Sequence, residues 1–295
     1  MNNKNASYIN ECIESMLPFI CNETHTEIHG SLESCDTGII DDDPEGTGFD
    51  NDFRIILELF RCNCQERHNR LITKNDILRQ LVIIDSLYST NIKRMRLFAL
   101  EEICDEIWAL CDDGDGVHTL NTLTSKTSVT PSLNNSIKKL FQNSYGYIRG
   151  NDAGTAPSLI SKYLFFASVA CPNDKSGFPI YDQIAYRMMR MVQKFIGIPT
   201  TPTMQNSFDI EKYVAGLNSL ITALTNNNPA FWENLPVLKF QLLDYFLWNI
   251  GKAGVESYSL LLSKNEVKKC YSNGILTKLP RRIAYWKNVY EQITL

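Results

Sequence analysis

The residues best placed to do chemistry lie in one stretch, residues 156–182 (APSLISKYLFFASVACPNDKSGFPIYD). Pro157 suits the first turn of a helix, where its missing N–H costs nothing. Lys162 falls in the early part of that helix, ahead of an apolar body of Tyr163, Leu164, Phe165, Phe166 and Val169. A turn of Pro172, Asn173, Asp174, Lys175 and Gly177 ends it. Phe178-Pro179-Ile180-Tyr181-Asp182 then leads into another helix, with Asp182 at or near its N-cap. A helix start offers free backbone N–H groups and a positive dipole end, and both stabilise a negative carboxylate. The stretch thus sets a lysine amine and a carboxylate at the starts of two successive helices.

Metal chemistry is not indicated. The nine cysteines stand at 12, 21, 35, 62, 64, 104, 111, 171 and 270, with no CxxC. Cys62-Asn63-Cys64 is the only close pair, and no His or Cys cluster completes a zinc site around it. An iron–sulfur ligand spacing is absent. His25, His29, His68 and His118 are scattered, which argues against a zinc deaminase. The expectation is free thiols in a reducing compartment, no metal and no cofactor. Asp41, Asp43, Glu45, Gly46 and Asp52 echo a calcium loop, but Pro44 and Gly48 interrupt it, and a solvated loop is expected there.

The elements that must position these groups read as helices. Phe53, Ile56, Leu57 and Phe60 make one apolar face. Asn75 or Asp76 can cap a segment through Leu78, Leu81, Val82 and Asp85. Ile92, Met95, Ala99, Ile103, Ile107 and Leu110 predict one continuous helix ending before Asp112-Asp113-Gly114. A polar loop is expected over 114–131, then helices near 132–147, 157–169, 182–197, 208–225 and 236–252. Strand-like alternation is scarce, although the first fifty residues have room for a short strand or two. Fold class is therefore mostly α.

Charge is uneven along the chain. Residues 1–52 hold one Lys and twelve Asp or Glu, and the remainder holds 28 basic against 21 acidic residues. The organisation expected is an acidic segment over 1–52, partly loop, and a helical domain over 53–295 whose basic excess suits phosphate. Apolar runs stay short of the ~18–20 residues that cross a bilayer, and the start lacks signal-peptide character. A cytoplasmic monomer without membrane contact is the expectation.

With those residues in place, the chain resembles the helix-hairpin-helix DNA glycosylases, in particular the oxoguanine-glycosylase-like branch. Ala156-Pro157-Ser158-Leu159-Ile160-Ser161-Lys162 is similar to that family's hairpin, and Phe178-Pro179-Ile180-Tyr181-Asp182 to the segment ending on its catalytic Asp. Tyr88-Ser89-Thr90-Asn91-Ile92-Lys93-Arg94 resembles the polar segment that fills the gap left by an extruded base. Leu243-Asp244-Tyr245-Phe246-Leu247-Trp248, before Gly251-Lys252, resembles a closing helix of bacterial members. Ser158 and Ile160 stand where the family has glycines, so the hairpin's approach to phosphate must be reshaped.

The resemblance implies a two-lobed helical fold gripping double-stranded DNA that carries a modified base. Its target is flipped into a pocket because the glycosidic bond cannot be reached inside the stack. Asp182 would stabilise the oxocarbenium-like sugar as the base leaves. Lys162, with a lowered pKa, would attack the sugar and add lyase activity; as an ordinary cation it would contact phosphate. Tyr88, Ser89, Thr90 and Asn91 would line the base pocket or fill the gap, and Arg94, Ser158, Ser161 and Arg187 would contact DNA. Lys138, Lys139, Arg149 and Arg190 are further groove candidates or members of a solvated face. The substrate is either an oxidised base or a bulky cytosine such as the glucosylated hydroxymethylcytosine of phage DNA, which would make the role antiviral defence rather than repair. Two alternatives stay open: a DNA-binding or sensing protein of the same fold without chemistry, and a helical interaction module whose acidic segment meets a basic partner. In either, Asp182 would be a helix cap and nothing more.

Overall fold

A computed structural model describes residues 1–17, 48–61, 71–88, 92, 96–129, 133–148, 154–172, 176–202, 208–235, 237–253 and 279–294. These residues are mostly helical. In chain order they form α1 (Asn3–Glu14), α2 (Gly48–Arg61), α3 (Lys74–Leu87), β1 (Arg96–Leu97), α4 (Ala99–Cys111), α5 (Leu120–Lys126) and α6 (Asn135–Gln142). There follow β2 (Tyr147–Ile148), α7 (Pro157–Ala170), α8 (Gln183–Phe195), α9 (Ile210–Asn227), α10 (Pro229–Glu233), α11 (Lys239–Ala253) and α12 (Leu279–Thr294). Among the described residues no helix is long and apolar enough to cross a membrane.

Local chemistry explains most boundaries. Thr73 and Asp76 form a reciprocal capping box at the start of α3: Thr73 Oγ1 accepts from Asp76 N and Asp76 Oδ2 accepts from Thr73 N. Pro157 occupies the first turn of α7, as its lack of a donor allows. Asp209 caps α9 and Asn228 caps α10.

Three expectations need correction. The stripe from Ile92 to Leu110 is not one helix: Arg96 and Leu97 pair antiparallel with Ile148 and Tyr147, and α4 starts only at Ala99. Phe98 between them has φ 62°, a left-handed conformation that breaks any helix running through it. The loop expected over 114–131 contains α5, capped by Thr119, whose hydroxyl accepts from Thr122 N. The boundary placed at residue 52 falls inside α2, which already begins at Gly48. Within the acidic segment, α1 buries Ala6, Ile9, Cys12 and Ile13 and packs on α9 and α11. The strands allowed for in the first fifty residues do not occur in the described part of that region, which is helix.

The helices sort by packing. On one side α2, α3, α4, α5 and α7 pack on one another; on the other, α1, α8, α9, α10, α11 and α12 do; α6 bridges them, packing on α4 and α7 and on α9. Helices α8 and α11 pack closely: a Cβ on Gly251 would collide with Ile184 Cγ2 and lie 2.9 Å from Met188 Cγ. Polar ties cross the core. Asn10 bonds Leu224 O, Asn227 Oδ1 and Trp232 Nε1, so every group of this enclosed amide is satisfied. Tyr163 on α7 donates to Gln80 on α3 at 2.8 Å, and Gln80 in turn donates to Leu59 O on α2.

Cysteine usage needs one correction too. Cys104 and Cys111 are free and buried, with burial pushing Cys104 up to about 11 and Cys111 to about 12, so neither is a reactive thiolate. Cys171, however, is disulfide-bonded. The expectation of free thiols rested on the lack of close pairs, whereas a disulfide needs only that two cysteines meet in the fold.

Candidate active site

Asp182 is the N-cap of α8, as its sequence context predicts. Its backbone is extended (φ −130°, ψ 139°), and Oδ1 accepts from Ile184 N at 2.7 Å and Ala185 N at 3.4 Å. The segment leading to it is pinned by three hydroxyls. Phe178 N donates to Ser168 Oγ at 3.0 Å, Tyr213 donates to Ile180 O at 2.7 Å, and Tyr181 N donates to Ser161 Oγ at 2.9 Å. Two of these hydroxyls come from α7, the helix of Lys162, so the carboxylate is registered directly against the helix that carries the amine.

Lys162 is only 7 % exposed, an unusual setting for a lysine. Nζ donates to Ser158 Oγ at 3.1 Å, one turn back on α7, and sits 5.2 Å from the centroid of the Tyr88 ring, within cation–π range. Tyr88 is the C-cap of α3 and meets Phe166 edge-on at 5.8 Å. The chain just beyond is anchored by Asp85, whose Oδ1 accepts from Ile92 N at 2.8 Å. Tyr88 and Lys162, expected in separate roles, are therefore neighbours.

A third group was missed. Asp244 on α11 has an enclosed Oδ1 with no hydrogen-bond partner, although the residue as a whole stays partly accessible. Its carboxyl is pushed well above the usual range, first by burial and then by the negative charge of Asp182, while Lys162 pulls the other way. Tyr213 lies between the acids electrostatically: burial raises it most, then Asp244, then Asp182. Its ring stands perpendicular to Tyr181 at 5.4 Å, and Tyr181 rests 4.1 Å from Phe208. The candidate site is thus the capped Asp182 carboxylate and the enclosed Lys162 amine, linked through Ser161, with Asp244 coupled to both by charge. In sequence, the signal for Asp244 was a single acid inside the apolar run Leu242–Leu247.

The remaining expected residues divide. Ser158 touches Lys162 rather than standing alone. Ser161 is 0 % exposed, and its hydroxyl is taken up by Ser158 O and Tyr181 N; as described it is a tie inside the protein, not a DNA contact. Arg187 is exposed on α8, one turn past the Asp182 cap, and remains available to a polyanion. Arg190 donates to Thr201 O at 2.8 Å and Lys138 pairs with Glu211 at 2.6 Å, so both have protein partners, while Lys139 is exposed. Ser89, Thr90, Asn91, Arg94 and Arg149 lie outside the described residues, as does the calcium-like run 41–47. Ile160, one of the two non-glycine hairpin positions, is fully buried in the core. Among the described residues no group of three metal-ligating side chains occurs.

Comparison with known proteins brings no relative to this arrangement: no family model, no curated protein and no solved structure matches the chain.

Proposed function

We propose that the protein is a DNA N-glycosylase of the two-lobed helix-hairpin-helix type, which flips a modified base out of a duplex and excises it to leave an abasic site. The observation that carries this reading is Asp182: a carboxylate fixed by two backbone N–H donors at the start of α8, on a segment tied through Ser161 to the helix that carries the enclosed Lys162. Grouping of the helices into two packing sets bridged by α6, with Ser161 of α7 tied to Tyr181 just ahead of α8, supports a groove between lobes.

The chemistry follows from charge. As the C1′–N bond of the flipped nucleotide breaks, positive charge builds on the sugar. A preorganised carboxylate facing that charge lowers the barrier without having to reorient. Lys162 has two possible uses: attack on C1′ to give a Schiff base and strand cleavage, or contact with phosphate and base release alone. Oxidised bases and bulky cytosines such as glucosylated hydroxymethylcytosine are the substrate classes to offer. The first points to repair and the second to defence against phage.

Duplexes bearing each modified base are incubated with pure protein and scored for abasic sites. Release by the wild type and its loss in Asp182→Asn, with folding intact, is the expected result; full activity in Asp182→Asn removes the assignment. Borohydride trapping of a covalent adduct separates the two uses of Lys162. A second reading, a DNA-binding protein of this fold without chemistry, is favoured by one observation: Lys162 is already engaged by Ser158 and Tyr88. It predicts salt-dependent duplex binding and no abasic product on any substrate.

A further inference from the structure

We propose that the outer face of α8, from Arg187 through Arg190 to Lys194, is a track for the phosphates of duplex DNA that continues to Lys4 at the start of α1. This rests on the reading of a protein that acts on duplex DNA, and it names where the duplex lies beyond the nucleotide at Asp182. It holds equally for the DNA-binding reading without chemistry.

Residue spacing gives α8 two unlike faces. Ala185, Met188, Met189 and Val192 are buried, and the helix packs on α9, α11 and α12. Opposite them Gln183, Arg187 and Lys194 are exposed, with Arg190 half-buried in the same row. Steps of three and four residues bring Arg187, Arg190 and Lys194 onto one side of the helix. Arg190 gives one of its five N–H donors to Thr201 O at 2.8 Å, which holds the guanidinium in place before any partner arrives.

The charge on this row is not compensated. Residues 183–208 contain these three basic side chains and no acidic one. Other cations of the fold do have acids: Lys74 pairs with Asp105 at 2.8 Å, Lys138 with Glu211 at 2.6 Å and Lys212 with Asp209 at 3.0 Å. Among the described residues Arg187, Arg190 and Lys194 make no such pair. The row also continues past its own helix. Asn2 N donates to Ile196 O at 2.7 Å and Asn5 Nδ2 donates to Phe195 O at 2.6 Å, so the start of α1 is fastened to the end of α8. Lys4 lies between those two anchors and is exposed.

Charge and length both fit a nucleic-acid backbone. From the Asp182 cap to Lys194 the helix runs about 18 Å. One DNA strand advances about 3.4 Å per nucleotide, so the row covers roughly five base steps to one side of the nucleotide at Asp182. Contacts of this kind position a duplex without reading its sequence. They also supply an anchor that the hairpin does not, since Ile160 is buried and the Ser161 hydroxyl is turned to Tyr181 N inside the protein.

The test uses the full chain and a duplex carrying one tetrahydrofuran abasic-site analogue at its centre. Binding is read by fluorescence anisotropy between about 50 and 200 mM salt. Each lost phosphate contact removes about 0.9 from the slope of log affinity against log salt. Arg187→Gln combined with Lys194→Gln is expected to flatten that slope by about 1.8 and to weaken binding alike on all sequences. Lys74→Gln, which loses a charge at an ion-paired site, is expected to keep the wild-type slope. A wild-type slope in the double variant, with a circular dichroism melt that overlays wild type, overturns the track; so does equal flattening per charge by Lys74→Gln. A second measurement needs no variant: trimming the duplex to fewer than about five base pairs on one flank of the analogue should weaken wild-type binding more than trimming the other flank. Equal losses from the two flanks overturn the track, and tighter binding to a double-stranded RNA of the same sequence overturns DNA as its occupant. Base release with an unchanged slope removes the track and leaves the glycosylase reading. The expected slope change without base release from any duplex does the reverse.

Discussion

Ser161→Ala distinguishes a positioning role from a DNA contact, because the two predict different losses. The hydroxyl donates to Ser158 O at 3.1 Å and accepts from Tyr181 N at 2.9 Å, and the residue is fully enclosed. Removing it deletes two hydrogen bonds, each worth roughly 0.5–1.5 kcal/mol net, and leaves a half-covered N–H without its acceptor, for a total cost of about 1–3 kcal/mol. At about 2–4 °C per kcal/mol for a domain of this order of size, the melting temperature should fall by roughly 2–12 °C. Tyr181 immediately precedes Asp182, so a looser segment should also lower kcat for base release by about tenfold while KM changes little. Far-UV circular dichroism melts and single-turnover kinetics measure both. The reasoning is refuted if the melting temperature is unchanged while duplex affinity drops and its salt dependence flattens, the pattern of a lost DNA contact.

Further outcomes follow from neighbouring groups. Asp182→Ala removes the cap of α8 and should cost about 1 kcal/mol, whereas Asp182→Asn keeps an acceptor and should melt within a few tenths of a kcal/mol of wild type; equal melting losses in both would show that charge rather than capping is what stabilises. Gly251→Ala puts a Cβ against Ile184 and Met188 across the α8–α11 contact; overpacking of about 1–3 kcal/mol outweighs the roughly 0.5–1 kcal/mol that alanine gains in a helix. Urea unfolding should therefore show a net loss, and a more stable variant would contradict the close packing. For Asp244 the folded carboxyl lies above its unfolded value. Its contribution to stability is thus complete below about pH 4 and is lost as pH rises toward the folded value. Asp244→Asn lacks that slope, so its stability advantage should grow from acid to neutral pH in denaturant titrations; parallel curves would refute the assignment.

Periodicity and caps made much of this architecture readable. Pro157 at the first turn of α7 and Asp182 at the cap of α8 follow from local donor and acceptor needs, which a sequence displays directly. What stayed hidden depends on tertiary placement. The apolar stripe from Ile92 to Leu110 has helical spacing, yet Phe98 adopts a left-handed conformation and Arg96 and Leu97 pair with a distant segment. Helix α5 is short and rich in Thr and Asn, so its composition resembles a loop; the Thr119 cap and burial of Leu120 and Leu123 make it a helix. Ser161 looked like a surface hydroxyl near a hairpin, and only the path of Phe178–Asp182 shows it turned inward. Asp244 needed the same information, since one acid in an apolar helix gains meaning only once its Oδ1 is seen to be enclosed without a hydrogen-bond partner.

The central claim is that Asp182 supports cleavage of a glycosidic bond, and base release measures this most directly. A panel of duplexes, each with a single modified base, is incubated with wild-type protein and with Asp182→Asn, and abasic sites are counted after alkaline cleavage. The account predicts release from at least one duplex by the wild type and a loss of about 10²–10³-fold in kcat for the folded variant, the range for removing one preorganised charge-stabilising group. Equal release by the two proteins, or none by the wild type from any duplex, contradicts it.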